Sequence, residues 1–211
     1  MMKFKLMLCA LLGIFVSLTS CAQKKGAEMT ENDSNTKVQE SQKKGAGLND
    51  GKSEHKILVA YFSATGTTRK AAADLAGVMG GTLHEITPEK PYSEADLDWT
   101  DSTSRSSVEM HDTAYRPPIT DKVEDMGQYD VVFLGFPIWW YIAPTIVNTF
   151  IESNDLEGKT VICFATSGGS PVGPCVDNLK KQYPGINWTD GKLLNGTSRK
   201  ELEGWKSELG L

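Results

Sequence analysis

Histidine and cysteine are scarce in this 211-residue chain, with three and four copies. Cys9 lies in an N-terminal apolar run and Cys21 just after it, so only Cys163 and Cys175 belong to the main body. Their short separation, with no histidine nearby, argues against a metal site. No nucleophile triad is visible, so no catalytic side chain is assigned. An excess of basic residues is also missing: 22 Lys and Arg stand against 27 Asp and Glu, for a net charge of -5. That balance disfavours nucleic acid or an anionic membrane surface as a partner. Long apolar runs are few. Residues 6–18 are almost continuously apolar but too short for a comfortable span, and Lys3 and Lys5 precede them, the build of a secretion signal over 1–20. Segment 21–54 has no aromatic residue and no apolar period, and its lysines balance its acids. It cannot bury enough surface to fold and reads as a flexible tether. The remainder, 55–211, is one domain by length.

Strand-like and helix-like stretches alternate through that domain. Strands are expected at 56–62, 82–86, 129–136 and 160–165, with a short fifth near 192–194. Val131-Val132-Phe133-Leu134 is continuously apolar, as a strand buried on both faces should be. Helices are expected at 67–80, closed by Gly80-Gly81, at 144–152, with Pro144 in its first turn, at 172–182, and at 198–209. Ser198 and Glu201 have the spacing of a capping box. Such alternation means a parallel sheet covered on both sides. The expected fold is α/β, a doubly wound five-stranded parallel sheet of order 2-1-3-4-5, with ligands at the carboxyl ends of its strands. Residues 88–121 form a polar excursion carrying Tyr92, Trp99 and Tyr115 and closed by Pro117-Pro118. A helix over 93–111 is expected there, and structural packing is favoured over a lid or partner surface.

Three strand ends carry ligand-type residues. After the first strand, Ser63, Thr65, Thr67 and Thr68 cluster around Gly66 at the start of a helix. Backbone N–H groups, hydroxyls and the helix dipole there converge on an anion. The turn has no lysine of a nucleoside-triphosphate loop and no dinucleotide glycine spacing. A monophosphate held by neutral donors remains. After the third strand come Pro137, Ile138, Trp139, Trp140 and Tyr141. Three consecutive aromatics at a strand end are costly to expose and suit the walls of a slot for a flat ring. After the fourth strand come Thr166, Ser167, Gly168, Gly169 and Ser170. The glycines permit close backbone approach and leave N–H groups free, and the hydroxyls can bond a polar ligand edge.

The first loop resembles the phosphate loop of flavodoxins. Tyr61, Ser63, Gly66, Thr68, Ala72 and Leu75 fill that family's pattern, and Ala60 departs from it. The second loop is similar to that of a bacterial flavodoxin subfamily reading G-x-P-I-W-W-G-x-A-P, with Tyr141 standing where glycine is usual. The resemblance spans about 56–211. It implies a flavodoxin-like fold and flavin mononucleotide (FMN) as cofactor, bound by Ser63, Thr65, Gly66, Thr67, Thr68, Pro137, Ile138, Trp139, Trp140, Tyr141, Thr166, Ser167, Gly168, Gly169 and Ser170. Which Trp flanks the ring is left open. It implies electron transfer with a redox partner protein or a small quinone-like acceptor, or an FMN-dependent NAD(P)H:quinone-type oxidoreductase. His84 is expected to pack or face solvent, and proton transfer is not the favoured role for His111.

Leu18-Thr19-Ser20-Cys21 resembles the lipobox of bacterial lipoproteins. That implies cleavage before Cys21, its lipidation, and export to a membrane on the periplasmic side or the cell surface. Cys163 reads as a small core residue. Cys175, near a helix start, is placed where a thiol can be acidified. A disulfide between the two is left open.

Overall fold

The computed structural model describes residues 55–211. The targeting segment, Cys21 and the tether over 1–54 lie outside the described residues. Five strands, β1 (Ile57–Tyr61), β2 (Thr82–Glu85), β3 (Val131–Pro137), β4 (Thr160–Thr166) and β5 (Asn187–Leu193), form one sheet in the order β2-β1-β3-β4-β5. Every neighbouring pair is parallel. Helices α1 (Thr67–Met79), α2 (Arg105–His111), α3 (Thr145–Ser153), α4 (Gly173–Gln182) and α5 (Arg199–Leu209) complete the fold.

Alternate residues of the central strands feed two cores. Leu58, Ala60, Val132, Leu134, Val161 and Cys163 pack with Ile146, Val147 and Phe150 of α3 and with Val176 and Leu179 of α4. Ile57, Val59, Val131, Phe133, Ile162 and Phe164 pack with Ala72 and Leu75 of α1 and with Leu202 and Trp205 of α5. The sheet is therefore covered on both faces, as strands without polar alternation require. Gly135 is the tightest point between them. A Cβ there would overlap the ring of Phe164 on β4, so only glycine lets β3 and β4 pair at this register.

The helix ends follow the expected signals. Gly80 closes α1 in the left-handed conformation, its N–H donating to the Ala76 carbonyl at 2.9 Å. Ser198 and Glu201 form a reciprocal capping box on α5. Two expectations are corrected. The fifth strand covers Asn187–Leu193 rather than 192–194. It is a polar sheet edge of mostly half-buried residues, with a register shift opposite Ile162 and Phe164, so it shows no apolar run. The helix expected over 93–111 exists only as a 3-10 turn at Ala95–Leu97 and as α2. Between them, the Asp98 carboxylate accepts from the N–H and hydroxyl of Thr100, and Asp101 does the same for Thr103, at 2.6–2.9 Å. Such local bonds compete with the helical ladder. The excursion is closed at its base, where Pro88 bridges Ile119 in antiparallel fashion.

His84 on β2 packs against Phe150, ring centroids 5.7 Å apart, and its Nε2 is buried without a partner among the described residues. Burial lowers its pKa, opposed by the Asp121 carboxylate. The fold therefore prefers the neutral ring. Its contribution is present above the unfolded value of about 6.5 and is lost as pH falls through the lower folded one. The urea midpoint should decline below about pH 6.5, and His84→Gln should remove that component. Gly135→Ala should cost about 1–3 kcal/mol through overpacking, read as a lower urea midpoint by circular dichroism.

Candidate functional site

A cleft of about 760 Å³ opens at the carboxyl ends of β1, β3 and β4. That volume suits a cofactor-sized molecule. Ala64, Thr65, Thr67 and Thr68 line it from the first loop, Pro137 to Tyr141 from the second, and Thr166, Ser167 and Gly168 from the third. No charged side chain is among the lining residues.

The first loop presents bare donors. Gly66 precedes α1 with φ 92°, a left-handed conformation that favours glycine, and brings no side-chain cap to the helix. The first turn of α1 holds no acidic residue. Ser63 turns inward instead, its Oγ accepting from the Gly66 N–H at 3.1 Å. Unfilled first-turn N–H groups beside the Thr65 and Thr67 hydroxyls match a monophosphate. Ser63 is a brace within the loop, and Gly66 faces an adjoining hollow with Thr65 and Thr67 rather than the main cleft.

The second loop reverses on two residues. Trp139 and Ile142 exchange both backbone hydrogen bonds, at 3.1 and 3.0 Å, around Trp140 and Tyr141. Those central residues have φ 45° and 68°. Positive φ at both marks a type I′ turn, usually filled by Asn-Gly. Tyr141 thus occupies a conformation that glycine adopts without strain. The three aromatics have different surroundings. Trp139 meets Phe62 and Tyr92 edge-on, with centroids 5.6 Å away in each case, and also lines the cleft. Trp140 and Tyr141 are 38% and 70% exposed. His111 stands edge-on to Trp140 at 6.2 Å, with its Nδ1 against the Ser107 carbonyl, and does not line the cleft.

The third loop differs from expectation. The N–H groups of Gly169 and Ser170 are not free: both donate to Ser167 Oγ, at 3.1 and 2.7 Å. Gly168 and Gly169 do not have positive φ, and a Cβ at either would meet open space. Neither Gly169 nor Ser170 lines the cleft. The loop is clamped from β5's end by Asn195, whose Oδ1 accepts from the Ser167 N–H at 3.0 Å while its Nδ2 donates to the Ser167 carbonyl at 2.6 Å. Thr68 and Thr166, both buried, share a 2.8 Å hydroxyl bond that ties the first loop to the third.

The excursion contributes Leu97, Trp99 and Ser106 to the cleft, beyond the packing role favoured from sequence. Trp99 is 74% exposed; a lone tryptophan in a polar stretch was its available signal. Asn195 follows the fifth strand, whose end the rule for parallel sheets marks as a ligand edge. Ser106 carried no signal. The excursion is held by a half-buried network around the buried Glu109: Tyr92 donates to Glu109, Arg105 pairs with Glu109 at 2.6 Å, and the Arg105 guanidinium covers the Tyr92 ring at 3.9 Å. Burial and the Glu109 carboxylate push the Tyr92 phenol far up, so it stays protonated.

Cys163 and Cys175 are free and buried. The expected acidification of Cys175 is reversed: burial pushes its thiol up to about 11, because the low-dielectric surroundings penalise the thiolate. Tyr141→Gly should relieve about 1 kcal/mol of backbone strain at little cost in contacts, raising the unfolding temperature by about 2–4 °C in a thermal scan.

A family model described as Flavodoxin matches residues 56–209. Among solved structures, an inferred flavoprotein from Bacteroides eggerthii is 56% identical, with 74% of this chain and 98% of that chain covered and a TM-score of 0.72. An inferred flavoprotein from Bacteroides uniformis is 54% identical, covering 72% and 98%, with a TM-score of 0.71. A flavoprotein from Lactobacillus acidophilus, solved in complex with FMN, shares the fold at 22% identity, covering 72% and 99%, with a TM-score of 0.57. No curated protein matches the chain. With a five-stranded sheet of order 2-1-3-4-5 and a family match over most of its length, the chain belongs to the flavodoxin family.

Proposed function

We propose that the protein binds FMN in this cleft and serves electron transfer at a membrane to which lipidated Cys21 tethers it. One observation carries the reading: a bare helix N-terminus with hydroxyls and an aromatic-walled slot share one uncharged cleft. Thr65, Thr67 and the first-turn amides of α1 would hold the phosphate. Trp139 and Trp140 would flank the ring, and Pro137 and Ile138 would line its edge. Thr166, Ser167 and Gly168 would border the opposite side. The bound cofactor supplies one- and two-electron redox chemistry; the protein positions it and tunes it. A net charge of -5 disfavours adding negative charge to the ring and suits a basic redox partner. The Pro137-Ile138-Trp139-Trp140 stretch supports reading the chain as one of the bacterial flavodoxins whose flavin loop reads P-I-W-W.

A second reading, an FMN-dependent NAD(P)H:quinone-type oxidoreductase, draws on Leu97, Trp99 and Ser106. These line the cleft from beyond the three loops and would border a small reactant beside the cofactor. Turnover of NAD(P)H with a quinone or ferricyanide, without an added reductase, would select it over a pure carrier.

Calorimetric titration of the purified domain should show FMN bound at least about tenfold more tightly than riboflavin, which lacks the phosphate. Equal affinities would overturn the phosphate site. Intact-mass analysis of the membrane-extracted protein should find a lipidated N-terminus at Cys21, and Cys21→Ala should move the protein to the soluble fraction.

A further inference from the structure

Trp140 and Tyr141 hold positive φ without being glycine, and the Tyr141 side chain is largely exposed. A contact from another element reaches the turn. Cys175, in the first turn of α4, is fully buried, and its Sγ donates to the Tyr141 carbonyl at 3.3 Å. That bond needs the protonated thiol, and a thiol pushed up to about 11 keeps its proton at neutral pH. Cys175 itself belongs to the apolar core between the sheet and its helices. Tyr141 and Trp140 both line the cleft.

We propose that Cys175 is a positioning residue, its thiol bracing the Tyr141 carbonyl from α4 and so presenting Trp140 and Tyr141 to the ligand in a strained turn. This rests on the reading of the cleft as the FMN site. A thiol is well matched to this place. It is a small, weakly polar donor that sits in an apolar core at little desolvation cost and still reaches the backbone carbonyl of an exposed turn residue. Bracing from the helix couples the aromatic loop to α4, an element outside the three ligand loops.

A double-mutant cycle between positions 175 and 141, under reducing conditions, tests it. Cys175→Ala should weaken FMN binding about threefold in a fluorescence titration and speed hydrogen exchange at the Ile142 amide of the ligand-free protein. Cys175→Ser, which keeps a donor, should stay near wild type in both. In the Tyr141→Gly background, Cys175→Ala should change neither, because glycine holds positive φ unaided. Equal losses in both backgrounds would mean ordinary core packing and overturn the brace. Should Cys175→Ala not fold, Cys175→Val fills the space without a donor. If wild type binds no FMN, the functional reading fails alone; Ile142 exchange still decides the brace, and an unchanged rate in Cys175→Ala overturns it.

Discussion

Complete burial of the central strands is the constraint from which the molecule follows. β1, β3 and β4 lie between two helical layers, and almost every side chain they carry is apolar and buried. Nothing polar can be accommodated there without a partner. Hydroxyls, amides and exposed aromatics are therefore displaced to the ends of the strands. A parallel sheet directs all its carboxyl ends to one edge, so three loops distant in sequence meet in one cleft. The Gly135 and Phe164 fit shows how little slack the arrangement leaves.

At that edge, polar groups spend much of their capacity on one another. Ser63 holds Gly66, Ser167 gathers two amides, Asn195 clamps Ser167, and Thr68 bonds Thr166. What stays open is the first turn of α1 and the aromatic surface opposite. This division leaves a cleft with neutral donors at one end, its loops held by hydrogen bonds to one another. The aromatic loop is built differently. Its turn stores backbone strain, which persists only where surrounding contacts over-determine it. Trp139 clustered with Phe62 and Tyr92, and Cys175 bonded to the Tyr141 carbonyl, are such contacts.

The excursion shows where pattern reading stops. Its sequence has no apolar stripe: the face that α2 buries is mostly polar, Ser106, Ser107 and Glu109 beside Met110, and order comes from Asp98 and Asp101 folding onto their neighbours and from the Tyr92, Arg105 and Glu109 network. Breaking such a pair by removing Arg105 would leave the buried Glu109 carboxylate uncompensated, which is costly. None of it has a period that a sequence scan detects. The fifth strand was obscured for a related reason: a half-exposed sheet edge carries no continuous apolar run.

The alternation of strands and helices, the buried centre and the three strand-end loops that meet at the cleft were all legible in the residues alone. Apolar runs, glycine caps and hydroxyl clusters are local signals, and they act through local backbone preference and burial. Which groups in those loops stay free was settled by the packed fold. Gly169 and Ser170 spend their amides inside the loop, and Leu97, Trp99, Ser106 and Asn195 join the cleft from outside the three loops. The state of Cys175 belongs with these, since its place near a helix start suggested acidity while its burial imposes the reverse. Hydrogen-bond competition and burial depend on neighbours far away in the chain, and those neighbours come together only once the chain has folded.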